Sequence, residues 1–177
     1  PGETEIKNIK ITRGGMDGKN VPYSGMVEPG IGYISLTTFT RDAGRNVANA
    51  LRDLKTESTD LKGVILDLRG NGGGLLREAI NVCNVFIPAE ETVVTTRSKV
   101  VEADQEYKTR TEPVDTEIEL IVLIDENSAS ASEIVSGVMQ DLDRGVIIGQ
   151  LSYGKGLVQN TFDIGYNAKV KLTTSKY

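Results

Sequence analysis

The sequence contains no histidine and a single cysteine, and these two deficits narrow the chemistry that the chain can perform. Without imidazole, the chain cannot build a Ser-His-Asp or Cys-His site, or a zinc site with histidine ligands. Cys83 lacks a second thiol for an internal disulfide, and its spacing in an apolar helix predicts a buried free thiol. A hydrolytic site here would take its base from lysine, aspartate, glutamate or a metal-bound water.

Other absences exclude whole classes of protein. The net charge of −5 provides no basic surface for nucleic acid, so we expect no nucleic-acid partner. No apolar run reaches the length of a membrane span, and no signal-peptide pattern is present. No cluster of metal ligands stands out, so we expect neither a metal nor another cofactor. The 177 residues suffice for one globular domain, or for one domain with a remnant of another.

Strand and helix patterns alternate along the chain and predict a layered α/β domain. Short apolar runs predict strands at 32–37, 63–69, 93–97, 118–124, 145–149, 157–162 and 168–174. Helical spacing predicts helices from about Asp42, across Leu76 to Cys83, and up to about Leu142. We interpret 14–30 as turns and the charged segment 98–116 as a surface excursion.

Three serines separated by alanines join the strand at 118–124 to the helix that follows it. These are Ser128, Ser130 and Ser132. A strand-to-helix turn exposes a side chain and directs free backbone N–H groups at whatever binds there. Taken alone, the motif favours a purely structural interpretation, because Ser130 and Glu133 have the spacing of a capping box and most such matches before an apolar helix are only that.

Two glycine-rich segments resemble nucleotide-binding motifs without meeting them. Gly70 to Gly74 follows a strand, but Leu75 stands where a dinucleotide fingerprint requires glycine. This loop is either a tight turn that requires positive φ or a set of bare N–H groups that form an oxyanion hole. The segment 149–156 approaches a P-loop, but Gly156 replaces the required Ser or Thr and a strand follows. Nucleotide binding is therefore our third hypothesis, and we expect Mg-nucleotide not to stabilise the chain.

Lys155 lies between two glycines, which allow the backbone to pass close to another segment such as the serine turn. The neighbouring apolar strands make burial of this lysine plausible. Desolvation favours the neutral form of a lysine, and a neutral amine can take the proton of a serine hydroxyl.

Together these segments resemble the C-terminal processing peptidases, also called tail-specific proteases. The likeness runs in family order from about Gly30 to the C-terminus, through Gly32 to Phe39, Gly63 to Leu76, Ser128 to Val135, Gln140-Asp141 and Gly154 to Gln159. The resemblance implies a serine endopeptidase that cleaves proteins near their C-termini through a Ser/Lys dyad. Ser130 would be the nucleophile and Lys155 the base, with Gln159 orienting the lysine.

The resemblance assigns supporting roles as well. The oxyanion hole would use the backbone N–H of Ala131 together with that of Gly72 or Gly73. Asp141 matches an acidic residue that supports the site, and no metal is implied. The implied partner is a protein or peptide substrate with a C-terminal tail, and the implied location is extracytoplasmic, in a bacterial periplasm or cell envelope. The resemblance specifies no oligomeric state.

The fold implied is a layered β/α core of the ClpP/crotonase-like kind. Residues 1–13 would be the tail of a PDZ domain, a module that captures a C-terminal carboxylate by strand addition. Residues 14–177 would be the peptidase core, without C-terminal elements that family members carry. The alternative function is a non-catalytic ligand- or peptide-binding module on the same scaffold. The set of Ser130, Lys155 and Gln159 favours the enzyme, because a binding module does not need it.

Overall fold

The computed structural model describes residues 18–99, 102 and 104–177, so the PDZ tail predicted for residues 1–13 lies outside the described residues. The described part contains three helices and nine strands. Their order is β1 (Tyr23–Glu28), β2 (Ile31–Ser35), α1 (Ala43–Glu57), β3 (Gly63–Asp67), α2 (Leu76–Phe86), β4 (Thr92–Ser98), β5 (Gln105–Lys108), β6 (Glu119–Ile124), α3 (Ala131–Asp141), β7 (Val146–Gly149), β8 (Leu157–Gly165) and β9 (Ala168–Lys176).

A five-stranded sheet forms the centre of the molecule, with strand order β1-β2-β3-β6-β7. Strand β1 is antiparallel to β2, and the other neighbours are parallel. In β3, four of five residues are buried, which is why Val64, Ile65 and Leu66 are all apolar rather than alternating with polar residues. Because parallel strands end at the same edge, the loops after β3 and β6 meet there. The loop after β3 contains Gly70 to Gly74 and is called the glycine loop below. The loop after β6 contains Ser128 to Ser132 and is called the serine turn.

Helix α1 shows how the apolar spacing becomes packing. Its residues Val47, Ala50, Leu51 and Leu54 recur every three or four positions and are all buried, as the sequence predicts. Helix α2 packs closely across α1 at Gly44, where a Cβ atom would lie 2.3 Å from Cβ of Asn81. The missing side chain therefore permits this crossing.

A second sheet, with order β5-β4-β9-β8, is built largely by a hairpin. Strands β8 and β9 are antiparallel and extend several residues beyond the predicted ends. Tyr166 and Asn167 form the hairpin turn, both with positive φ, which matches the twist of the flanking strands. This hairpin stands beside the serine turn and forms one wall of the cavity described below.

Two predictions about local structure were wrong. The segment 14–30 contains strand β1, and the excursion at 98–116 contains strand β5. Both are edge strands in which no residue is fully buried. An edge strand satisfies its backbone through one neighbour and buries little apolar surface, so its sequence lacks the pattern that predicts a strand.

The α/β class is confirmed, since strands and helices alternate through the central sheet. The ClpP/crotonase-like layering and the PDZ tail stay predictions. Within the described residues, no helix combines the length and the hydropathy needed to cross a membrane.

Candidate active site

Ser130 occupies a strained position at the start of α3. Its φ of 59° and ψ of −111° are values that residues other than glycine rarely adopt. Strain of this kind costs on the order of 1–3 kcal/mol and persists only where the surroundings enforce it, most often at functional sites. Ser130 lines a cavity of about 450 Å³, and Lys155 and Gln159 line the same cavity.

The two neighbouring serines, Ser128 and Ser132, have structural roles. The Ser128 hydroxyl donates to the carbonyl oxygen of Leu68 at 2.8 Å, and the Ser132 hydroxyl donates to that of Asn71 at 2.8 Å. Both serines are completely buried and fasten the serine turn to the chain that follows β3. Of the three serines, Ser130 is the one that faces the cavity.

The glycine loop packs directly against Ser130. At Gly73, where φ is +95°, a Cβ atom would lie 2.6 Å from the carbonyl oxygen of Ala129 and 2.8 Å from Cβ of Ser130. The same point lies 3.0 Å from the backbone nitrogen of Ala131, the other predicted oxyanion donor. Only glycine satisfies both the backbone angle and this contact. The loop is therefore a tight turn, and it also brings its backbone to the nucleophile.

Asn71 fixes the conformation of the loop from inside the protein. Its side-chain nitrogen donates to the carbonyl oxygen of Leu36 at 2.7 Å, and its side-chain oxygen accepts from the N–H of Gly73 at 2.9 Å. The N–H of Gly73 is therefore engaged in this structure, whereas Gly72 is exposed. The assignment of the second oxyanion donor to Gly72 or Gly73 stays a prediction.

We expect Gly73→Ala to lower kcat/KM by about 10²-fold, the typical cost of a lost oxyanion-hole contact. The added methyl group would meet Ala129 and Ser130 and would adopt an unfavourable φ, so Tm should fall as well. Gly137→Ala in α3 is the matched control, because a Cβ there meets nothing within 4 Å. Equal behaviour of the two variants in activity and thermal unfolding would contradict the role assigned to Gly73.

Glu133 connects the serine turn to the segment that carries the predicted base. Its carboxylate accepts four hydrogen bonds, from the N–H groups of Ser130 (2.6 Å), Gly154 (2.6 Å) and Lys155 (3.2 Å) and from the hydroxyl of Ser152 (3.0 Å). Burial would raise the pKa of this carboxyl, but the hydrogen bonds outweigh it and hold the pKa below 4.5. Glu133 therefore stays charged and binds both halves of the predicted dyad.

This bridging role of Glu133 does not follow from the sequence. The capping-box spacing correctly indicated its bond to the backbone of Ser130. Its other partners lie about twenty positions further along the chain, and no local pattern connects them with Glu133. A half-buried acidic residue with a second polar loop nearby in space is recognisable only from the tertiary structure.

Lys155 is half-buried and lies between Gly154 and Gly156, whose φ values of +80° and +54° let the chain turn sharply toward the cavity. Gln159, on β8, is exposed, and its side-chain nitrogen lies 3.5 Å from the hydroxyl of Thr173. The structure thus brings Lys155 and Gln159 to the cavity that Ser130 lines. Orientation of the lysine by Gln159 stays a prediction.

Asp141 lies away from this cavity. It is the exposed last residue of α3, and an 11-residue helix separates it from Ser130 by about 16 Å. Its supporting role stays a prediction, because among the described residues Asp141 makes no hydrogen bond or ion pair with the site. Glu133, rather than Asp141, makes hydrogen bonds to the segments that carry Ser130 and Lys155.

Comparison with known proteins gives this site a context. The model of peptidase family S41 matches residues 30–177. A carboxy-terminal-processing protease of Bartonella bacilliformis is 41% identical over 172 residues, covering 96% of this chain and 39% of that protein. A carboxyl-terminal-processing protease of Synechocystis is 39% identical over 147 residues, covering 83% of this chain and 33% of that protein.

A solved structure agrees with these relatives. The structure of a photosystem II D1 C-terminal processing protease superposes with a TM-score of 0.73 at 29% identity, covering 82% of this chain and 37% of that one. The chain thus spans between a third and two fifths of the length of these proteins. The resemblance drawn from the sequence motifs is confirmed.

Proposed function

The chain belongs to peptidase family S41, and on that premise we propose that it carries the catalytic core of a serine endopeptidase that cleaves proteins near their C-termini. One observation supports this most strongly. Ser130, in a strained conformation, and Lys155 line one cavity, and Glu133 binds the backbone of both. The relatives named as C-terminal processing proteases support the choice of substrate.

In the proposed reaction, Oγ of Ser130 attacks the carbonyl carbon of the scissile peptide. The neutral amine of Lys155 takes the hydroxyl proton and returns it to the leaving amine, which departs as the acyl-enzyme forms. In the second step water gives a proton to Lys155 and attacks the ester carbon, and the proton then passes to Oγ of Ser130 as the acid product leaves. The carbonyl oxygen becomes negative at the N-terminus of α3, where the helix dipole and the N–H of Ala131 stabilise it.

The second candidate is a binding module that holds a peptide C-terminus in the same cavity. The presence of Ser130 and Lys155 on one cavity argues against it, because a binding module does not need a hydroxyl and an amine side by side. Substrate capture by a PDZ domain and a location outside the cytoplasm stay predictions that rest on the resemblance.

Reactivity of Ser130 distinguishes the two candidates. A small fluorophosphonate should label the folded protein at one residue, and mass spectrometry of the digested protein should locate the label on Ser130. The Ser130→Ala variant should remain unlabelled with an unchanged circular dichroism spectrum. Absence of label from the well-folded wild-type chain would favour the binding module, and label on another serine would contradict the assigned nucleophile.

A further inference from the structure

Tyr177, which follows β9, lines the cavity that contains the proposed nucleophile. Its backbone N–H donates to the carbonyl oxygen of Gly156 at 3.2 Å, which places it next to the turn that carries Lys155. Its ring packs against the hydrophobic core, and its side chain lines the cavity shared by Ser130 and Lys155. No role was assigned to this residue by the sequence analysis.

The hydroxyl oxygen of Tyr177 is buried and has no hydrogen-bond partner. Among the residues that the structure describes, no other buried side-chain nitrogen or oxygen lacks one. Burying a polar group without a partner costs about 1–3 kcal/mol, so such an atom requires an explanation. An unpaired donor at an active site is explained if its partner gains charge or moves into place during the reaction.

Two neighbouring groups act on this phenol. Burial raises the pKa of Tyr177, the nearby Ser130 hydroxyl lowers it, and the charge of Glu133 raises it, with a net rise above 10.0. The phenol therefore keeps its proton at neutral and moderately alkaline pH and is a hydrogen-bond donor. Ser130 is close enough to influence the phenol, but the two hydroxyl groups do not have the geometry of an ordinary hydrogen bond.

We propose that Tyr177 is a further catalytic residue, whose phenol O–H donates a hydrogen bond to Oγ of Ser130 as that oxygen becomes negative. The proposal rests on the proposed function. The proton of Ser130 passes to the amine of Lys155, while Tyr177 keeps its own proton throughout. Hydrogen bonds to a charged oxygen are shorter and about twice as strong as neutral ones, so the bond forms mainly in the transition state.

The surroundings of Ser130 explain why a donor is needed at this place. The carboxylate of Glu133 is an acceptor only, and it already holds the backbone N–H of Ser130. The amine of Lys155 must be neutral to take the proton, so it offers no positive charge at the start of the step. In the proposed mechanism, the N–H of Ala131 donates its hydrogen bond to the carbonyl oxygen of the substrate and not to Oγ of Ser130. The phenol of Tyr177 is a protonated donor that lines the same cavity, and it is close enough to the Ser130 hydroxyl to feel its influence.

The test is Tyr177→Phe in the full-length chain, which removes a single oxygen atom. We expect kcat for peptide hydrolysis and the rate of fluorophosphonate labelling at Ser130 to fall about 10- to 100-fold, with KM unchanged. The Tm should be unchanged or higher, because the substitution removes a buried unpaired hydroxyl. The matched control is Tyr166→Phe at the exposed tip of the hairpin, which should match the wild type.

Each other outcome overturns the proposal. Wild-type kcat and labelling rate in Tyr177→Phe would show that the phenol does not act on Oγ. A rise in KM alone would assign the hydroxyl to substrate binding. A loss of rate that parallels a loss of Tm, and that Tyr177→Leu reproduces in proportion, would assign Tyr177 to packing. Absence of labelling at Ser130 in the wild type would instead remove the proposed function, and this proposal with it.

Discussion

Lys155→Ala is expected to lower kcat for peptide hydrolysis by at least about 10⁴-fold while the protein remains folded. The serine hydroxyl is a poor nucleophile without a base, and the sequence offers no histidine to replace the lysine. Lys155 is half-buried, and its described contact with Glu133 uses its backbone rather than its amine, so the fold should tolerate the change. Hydrolysis of a fluorogenic peptide and thermal unfolding would measure the two effects separately.

Lys155→Arg should be nearly as damaging, because arginine keeps the charge but does not give up its proton. The matched control is Lys169→Ala on β9, where an exposed lysine pairs with Asp163 away from the cavity. This control should retain wild-type kcat. Substantial activity in Lys155→Ala would show that another group acts as the base, and the Ser/Lys dyad would have to be abandoned.

Glu133→Gln is expected to lower kcat by about 10²-fold and to destabilise the fold by about 2 kcal/mol. All four partners of the carboxylate are donors, whereas the amide that replaces it has one acceptor and one donor end. Either the N–H pair of Ser130 and Lys155 or the pair of Ser152 and Gly154 would then lose its acceptor. Because the bridge would loosen, the nucleophile and base would separate.

The same carboxylate predicts the dependence of stability on pH. The folded-state pKa of Glu133 lies below the ordinary value of 4.5, since its hydrogen bonds outweigh burial. The contribution of the ionised Glu133 carboxylate to the free energy of unfolding is therefore complete above pH 4.5. It disappears as pH falls through the folded-state pKa. The Tm difference between wild type and Glu133→Gln should shrink in acid. Glu126→Gln, which changes an exposed carboxylate, is the control, and its Tm difference from the wild type should not shrink in acid. If the Tm of Glu133→Gln stayed a constant distance below that of the wild type at every pH, the bridging role of Glu133 would be contradicted.

The sequence predicted what depends on local periodicity and on motifs. The buried face of α1, the central strands and the strand-to-helix turn at Ser130 all follow from apolar spacing, and the structure confirms them. The identification of Lys155 came from motif resemblance, since spacing alone does not bring residues 130 and 155 together. The structure places both on one cavity.

What the sequence did not predict depends on contacts between distant segments. Strands β1 and β5 form because a neighbouring strand supplies partners for their backbones, and their own side chains are mostly polar or exposed. The bridge through Glu133 and the position of Tyr177 require that the β8–β9 hairpin is already beside α3. Burial and hydrogen bonding of this kind are decided by tertiary structure, whereas sequence patterns report local preference.

The division of the site between two sheets has a consequence for the cell that makes this protein. Ser130 lies in the turn between β6 of the central sheet and α3, so its position is fixed once α3 has packed. Lys155 and Tyr177 arrive only with the β8–β9 hairpin, which is synthesised later and must dock through Glu133. Under the proposed mechanism, a nascent or partly unfolded chain therefore has a nucleophile without its base. On this mechanism we expect peptidase activity to appear only after the hairpin has docked beside α3.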